Sequence, residues 1–135
     1  MENNCIVLAD KHPSFLEGLR GLLETVFGGV VMVADQPSLI EALNKIKPDF
    51  AIIDVSLLNH GDLSTACDLN RRFPDIKIVI LSDYDEPDLV EEFISAGIAG
   101  FVFKQHAGTD LFEAIESVRQ RQNYISPIFR SVNDI

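Results

Sequence analysis

Short apolar runs alternate five times with stretches of helical period, and this alternation constrains the fold more than any other feature of the chain. The runs are Cys5–Ala9, Val30–Ala34, Phe50–Ile53, Ile76–Leu81 and Gly100–Phe103. Each is short, apolar and bounded by polar or turn-forming residues, the pattern of a strand buried on both faces. Between them, Pro13 opens a helix with an apolar stripe of Phe15, Leu16, Leu19, Leu22, Leu23 and Val26, ended by Gly28-Gly29. Pro37 starts a second, with Leu39, Ile40, Leu43 and Ile46 inward and Pro48 as its stop. A third runs from about Asp62 to Phe73 before Pro74, and a fourth from Pro87 carries Leu89, Val90, Phe93 and Ile94 up to Gly97. Thr109 or Asp110 is the predicted cap of a fifth, with Leu111, Phe112, Ile115 and Val118. Strict βα order predicts an α/β domain, a doubly wound five-stranded parallel sheet with helices on both faces.

Composition narrows the function. The 135 residues suffice for one domain with a real core. Eleven basic against 21 acidic residues leave a formal charge of −10, which argues against this chain itself tracking a phosphate backbone. No apolar stretch is long enough to span a bilayer, so no membrane partner is expected. Met1-Glu2-Asn3-Asn4 has no signal-peptide pattern, and a cytoplasmic location is the default expectation. Cys5 and Cys67 fall on apolar faces and read as buried, reduced thiols. From Asn123 the periodicity fades and Pro127 interrupts it. Residues 1–126 are expected to form the domain, and 127–135 a tail or the start of a linker.

The candidate chemistry lies where strands end. Strands one, three, four and five run into Asp10, Asp54, Ser82 and Lys104. In a sheet of order 2-1-3-4-5 these four converge in one crevice at the carboxyl edge, where ligands bind in open α/β sheets. A buried carboxylate needs a partner, a metal or a chemical task. The set suits phosphoryl transfer to a carboxylate, with Asp54 as nucleophile, a cation to neutralise phosphoryl oxygens, and Lys104 and Ser82 as donors. His12, His60 and His106, without metal spacing, read as exposed loop residues. The acidic run Asp83, Asp85, Glu86, Asp88, Glu91 and Glu92 reads mainly as a solvated helix start.

The segments Val7-Leu8-Ala9-Asp10-Lys11-His12-Pro13, Ile53-Asp54, Leu81-Ser82 and Gly100-Phe101-Val102-Phe103-Lys104, with the ending Tyr124-Ile125-Ser126-Pro127, resemble the receiver domain of two-component response regulators. The likeness is greatest to the NarL/FixJ type, whose receivers precede a LuxR-type helix-turn-helix. It implies a flavodoxin-like fold and a signal receiver of a transcriptional regulator rather than an enzyme. It also implies Asp54 as phosphoacceptor, Ser82 as switch hydroxyl, Lys104 as the partner lysine and Phe101 as the aromatic whose rotamer follows the switch. Magnesium would be held by Asp10, Asp54 and the backbone carbonyl of Ser56. The implied partner is a sensor histidine kinase; a weak homodimer is also expected, through the helix-four/strand-five/helix-five face, where the acidic run lies beside Lys104, Arg119 and Arg121, or through the helix-one/helix-five face. DNA would be met only through a C-terminal domain beyond residue 135.

Two departures from the family pattern stand out. Lys11 occupies the place of the second acidic residue, and an ammonium has no lone pair with which to ligate a cation. Lys11 is predicted to reach Asp54 and to weaken magnesium binding. The loop after Asp54 reads Leu57-Leu58-Asn59-His60-Gly61-Asp62 in place of the usual Met-Pro form. Two other functions compete: a degenerate receiver that works by protein contacts alone, and a haloacid-dehalogenase-like phosphatase. The latter needs a second Asp two residues after its nucleophile, where this chain has Ser56.

Overall fold

The computed structural model describes residues 4–58, 63–83 and 87–127. The five predicted strands are present as β1 (Cys5–Ala9), β2 (Gly29–Val33), β3 (Phe50–Asp54), β4 (Lys77–Ser82) and β5 (Gly100–Phe103). They alternate with α1 (Pro13–Leu23), α2 (Gln36–Ile46), α3 (Leu63–Arg72), α4 (Pro87–Ser95) and α5 (Ala107–Arg119). All pairs are parallel, in the order β2-β1-β3-β4-β5. A sixth strand, β6 (Tyr124–Ile125), extends the edge beyond β5. The sheet therefore has six strands where five were expected, and residues 124–126, inside the expected domain, are tied to its edge. Two residues carry no readable period; backbone bonds from Tyr124 N to the Ala99 carbonyl (3.1 Å) and from Ser126 N to the Phe101 carbonyl (2.9 Å) hold them.

Alternation along each strand divides the core into two layers. Val7, Ala51, Ile53, Ile78, Ile80 and Phe101 face one side, where Leu39 and Leu43 of α2, Ala66 and Leu69 of α3, and Val90 and Phe93 of α4 cover them. Ile6, Leu8, Phe50, Ile52, Val79 and Val102 face the other, beneath Leu19 and Leu23 of α1 and Leu111, Ala114, Ile115 and Val118 of α5. Both faces are buried, so the strands read as continuous apolar runs.

Local chemistry sets most boundaries. Asp35 caps α2 by accepting from Ser38 N at 2.8 Å; that backbone bond and the Ser38 side chain hold its carboxyl below the usual range. Lys47 closes the helix in the left-handed region (φ 52°), immediately before Pro48. Three expectations require correction. Leu22 is exposed on α1 itself; the helix then ends at Leu23 and the chain turns, so the helical phase is lost and Phe27 is buried against Phe50 while Val26 is exposed. Neither Thr109 nor Asp110 caps α5, because a 3-10 turn over Lys104–His106 leads straight into the helix at Ala107. Cys5 and Cys67 are half-buried and free.

Gly97 follows α4 with φ +99°, and a Cβ there would lie 2.2 Å from Asn70 Nδ2, which donates to the Ala96 carbonyl. Gly97→Ala is expected to destabilise the fold by about 1–3 kcal/mol through strain and overpacking. Denaturant unfolding should register it as a lower midpoint at unchanged slope.

Candidate functional site

Strand register places the two carboxylates side by side. Ala9 pairs with Ile53, so Asp10 and Asp54 emerge together where β1 and β3 leave the sheet. Both are buried, Asp10 at 0% and Asp54 at 3% exposure. Lys104, 7% exposed, enters from the end of β5 and brings its ammonium between them. Nζ lies 2.7 Å from Asp10 Oδ2 and 3.1 Å from Asp54 Oδ1. The Phe15 ring of α1 closes over it, with its centroid 4.7 Å from Nζ, a cation–π contact that shields the charge from water. Burial pushes the Lys104 ammonium toward neutrality. The hydrogen-bonding contacts and charges of Asp10 and Asp54 outweigh that and hold its pKa above the ordinary lysine value.

Each carboxylate has a second anchor. Asp54 Oδ2 accepts from Ser56 N at 3.1 Å and from the Ser56 hydroxyl. Asp10 Oδ1 accepts from His12 N at 3.0 Å and lies 2.9 Å from His12 Nδ1, which is itself 3.3 Å from Lys104 Nζ. His12 is exposed as read from sequence, at 63% for its side chain, but it is also the flank of Asp10. The Asp-x-His spacing before the α1 proline was the available signal. His106 is half-exposed, 4.0 Å from Asp110, and His60 lies outside the described residues. Ser82 is fully buried at the end of β4, opposite Phe103 in register. Phe101 is fully buried, its ring turned inward 5.6 Å from Phe93.

Asp10, Asp54, Ser56 and Lys104 are thus brought into one cluster, with Ser82 at a neighbouring strand end. Lys11 is not the ammonium of the crevice. Its side chain is exposed, and among the described residues it makes no ion pair; the predicted contact with Asp54 is made by Lys104 instead. Position 11 lies beyond β1, after the residue whose carboxylate turns inward. The donors available to magnesium are hard oxygens of the right kind, and buried Asp10 Oδ2 has no hydrogen-bond partner beyond its ion pair with Lys104. Among the described residues, however, no third acidic, His or Cys side chain completes a metal-binding group. The oxygens of Asp10, Asp54 and Ser56 fit a magnesium ion, which would sit beside a fixed ammonium. In the acidic run, Asp83, Glu91 and Glu92 are exposed; Asp85 and Glu86 lie outside the described residues.

Comparison with known proteins identifies the family and the fold. A family model described as the response regulator receiver domain matches residues 6–116. The transcriptional regulatory protein DegU of Brevibacillus brevis is 31% identical over 124 residues, spanning 90% of this chain and 52% of that protein. The isolated REC domain of RcsB from Salmonella enterica serovar Typhimurium, solved with phosphomimetic BeF3−, superposes with a TM-score of 0.83 at 28% identity, covering 97% of this chain and 99% of that one. RcsB from the same organism bound to promoter P1flhDC gives a TM-score of 0.80 at 27% identity, over 97% of this chain and 66% of the other. The chain spans 52–60% of the length of the first curated relatives that it matches.

Removing the ammonium leaves two adjacent buried carboxylates unpaired. Lys104→Met is expected to lower stability by roughly 3–5 kcal/mol, measured by denaturant unfolding at neutral pH. The folded-state pKa of Lys104 is raised, so its contribution is fully present below the ordinary lysine pKa and is lost as pH rises through the folded value. The difference between unmodified chain and variant should therefore stay level from neutrality to about pH 9 and shrink only in stronger alkali.

Proposed function

This chain belongs to the response regulator receiver domain family, and from that membership we propose that it receives a signal as a phosphoryl group on Asp54. The observation that carries the reading is the Lys104 ammonium held 3.1 Å from Asp54 Oδ1 and 2.7 Å from Asp10 Oδ2. An Asp54 oxygen attacks phosphorus; as the new O–P bond forms, the bond from phosphorus to the donor breaks, and its electron pair leaves with the donor. Lys104, already on Asp54, follows the charge onto a phosphoryl oxygen, and the Ser82 hydroxyl supplies the switch contact that Phe101 reports. Asp10, Asp54 and the Ser56 carbonyl would hold magnesium, which when bound neutralises phosphoryl charge. The chain acts as a signal receiver rather than as an enzyme, and its donor is a sensor histidine kinase.

A second reading has its own support. Both oxygens of Asp54 are already engaged, Oδ1 by Lys104 and Oδ2 by Ser56, and the acidic set is one carboxylate short at Lys11. A receiver built this way can signal through protein contacts without phosphate. Intact mass after incubation with magnesium and acetyl phosphate separates the two. One added phosphoryl group, absent from Asp54→Asn, supports the first; no addition at saturating donor supports the second. Lys11→Asp is expected to raise magnesium affinity at least about tenfold, or ~1.4 kcal/mol, by replacing an exposed ammonium next to Asp10 with a negative charge. An unchanged affinity in a magnesium titration would refute weak binding through Lys11.

Output follows from charge and surface. At −10 the chain by itself does not bind DNA, and any DNA contact belongs to a further domain, as the RcsB complex with its promoter suggests for that protein. Homodimerisation uses the α1–α5 face. Of the basic residues on the α4–β5–α5 face, Lys104 is buried in the crevice and Arg119 lies over Phe27, 5.2 Å from the ring centroid, which leaves Arg121 as the exposed basic residue without such a contact. Leu22 and Val26, exposed at the end of α1, supply apolar contact instead. Among the described residues, no helix is long and apolar enough to cross a membrane.

A further inference from the structure

We propose that a buried hydrogen-bond chain from Asp110 through Ser126 to the Phe103 amide positions Lys104, and so couples the hold on β6 to the state of the Asp10–Asp54 crevice. Ser126 is fully buried. Its hydroxyl donates to Asp110 Oδ2 at 2.8 Å and accepts from Phe103 N at 2.9 Å. Its own amide donates to the Phe101 carbonyl at 2.9 Å. The direction of the chain is fixed by chemistry, since a carboxylate can only accept and an amide can only donate. Asp110, 8% exposed in the first turn of α5, has the half-exposed His106 as its other polar neighbour, at 4.0 Å.

The consequence runs through one peptide unit. Phe103 is the residue on which the Lys104–His106 turn begins, so a displaced Phe103 amide displaces the lysine that spans both carboxylates. Strand β6 is only two residues long. Its further anchors include the pairing with β5, the Tyr124 amide on Ala99 and the Tyr124 hydroxyl on Glu113 Oε1 at 3.0 Å. A strand this short opens well below the global unfolding free energy. It is therefore an element with two arrangements, held and released, whose balance a shift of Lys104 biases. Linkage makes the coupling reciprocal: whatever the crevice does to β6, β6 does to affinity at the crevice. Ser126 and Asp110 are positioning residues, and the chain leaving β6 is what they report to.

Two measurements test this, and only the second rests on the phosphoryl reading. In the first, without ligand, amide exchange is compared between the unmodified chain and Lys104→Met. The Tyr124 and Ser126 amides are expected to accelerate at least about fivefold more than those of β2, the opposite edge of the sheet. Equal acceleration at both edges overturns the proposal. In the second, magnesium with beryllofluoride is titrated into the chain and three variants. Ser126→Ala should weaken affinity about fivefold or more, Tyr124→Phe should loosen β6 with less than about a twofold change, and Asp110→Asn, which keeps an acceptor for the hydroxyl, should retain affinity. Equal losses from Ser126→Ala and Tyr124→Phe refute the coupling. Failure of the unmodified chain to bind beryllofluoride refutes phosphoryl reception alone, and exchange in Lys104→Met then decides the coupling, whether or not Ser126→Ala folds.

Discussion

One ammonium between two buried carboxylates is the contact on which the crevice depends. Asp10 and Asp54 leave adjacent strands with almost no exposure to water, a placement that is costly for two like charges without a counter-ion. Lys104 meets both. A lysine suits the task because its point charge on a flexible stem can cross from β5, past β4, to the β1–β3 pair. Phe15 above it, and the Ser56 and His12 amides beside the carboxylates, keep the cluster dry and fixed.

The sheet makes that contact possible by its order. With β1 between β2 and β3, the crevice opens where the chain changes direction across the sheet. The two apolar layers immobilise the strands from both faces, α1 and α5 on one side and α2, α3 and α4 on the other. Charged side chains project only where strands stop. The same frame accounts for the exit of the chain: β6 can join the sheet because β5 would otherwise be an open edge.

Lys104 supplies at this site positive charge of the kind that a bound cation would supply. The position that would add a carboxylate holds Lys11, which is exposed. The cluster therefore carries two negative charges and one fixed positive charge among its buried side chains, and has less need of a second cation. Both Asp54 oxygens are likewise engaged, Oδ1 by Lys104 and Oδ2 by Ser56.

Strand positions, sheet class and the residues at the strand ends were legible in the sequence, because buried strands require unbroken apolar runs and a polar residue where each run stops. Asp10, Asp54, Ser82 and Lys104 could be placed at one edge on that ground alone. Which ammonium faces the carboxylates was not legible. Lys11 and Lys104 are alike in type, and only the path of the chain after β1 turns one outward while the path after β5 turns the other inward. The inward exchange of Phe27 for Val26, the pairing of Tyr124–Ile125 and the bond from Ser126 to Asp110 were likewise hidden. Each depends on a turn or on a contact between segments distant in sequence, where no local period survives. Residue types along the chain dictate which positions are buried and where strands end, whereas which side chains meet is settled by chain direction across the sheet.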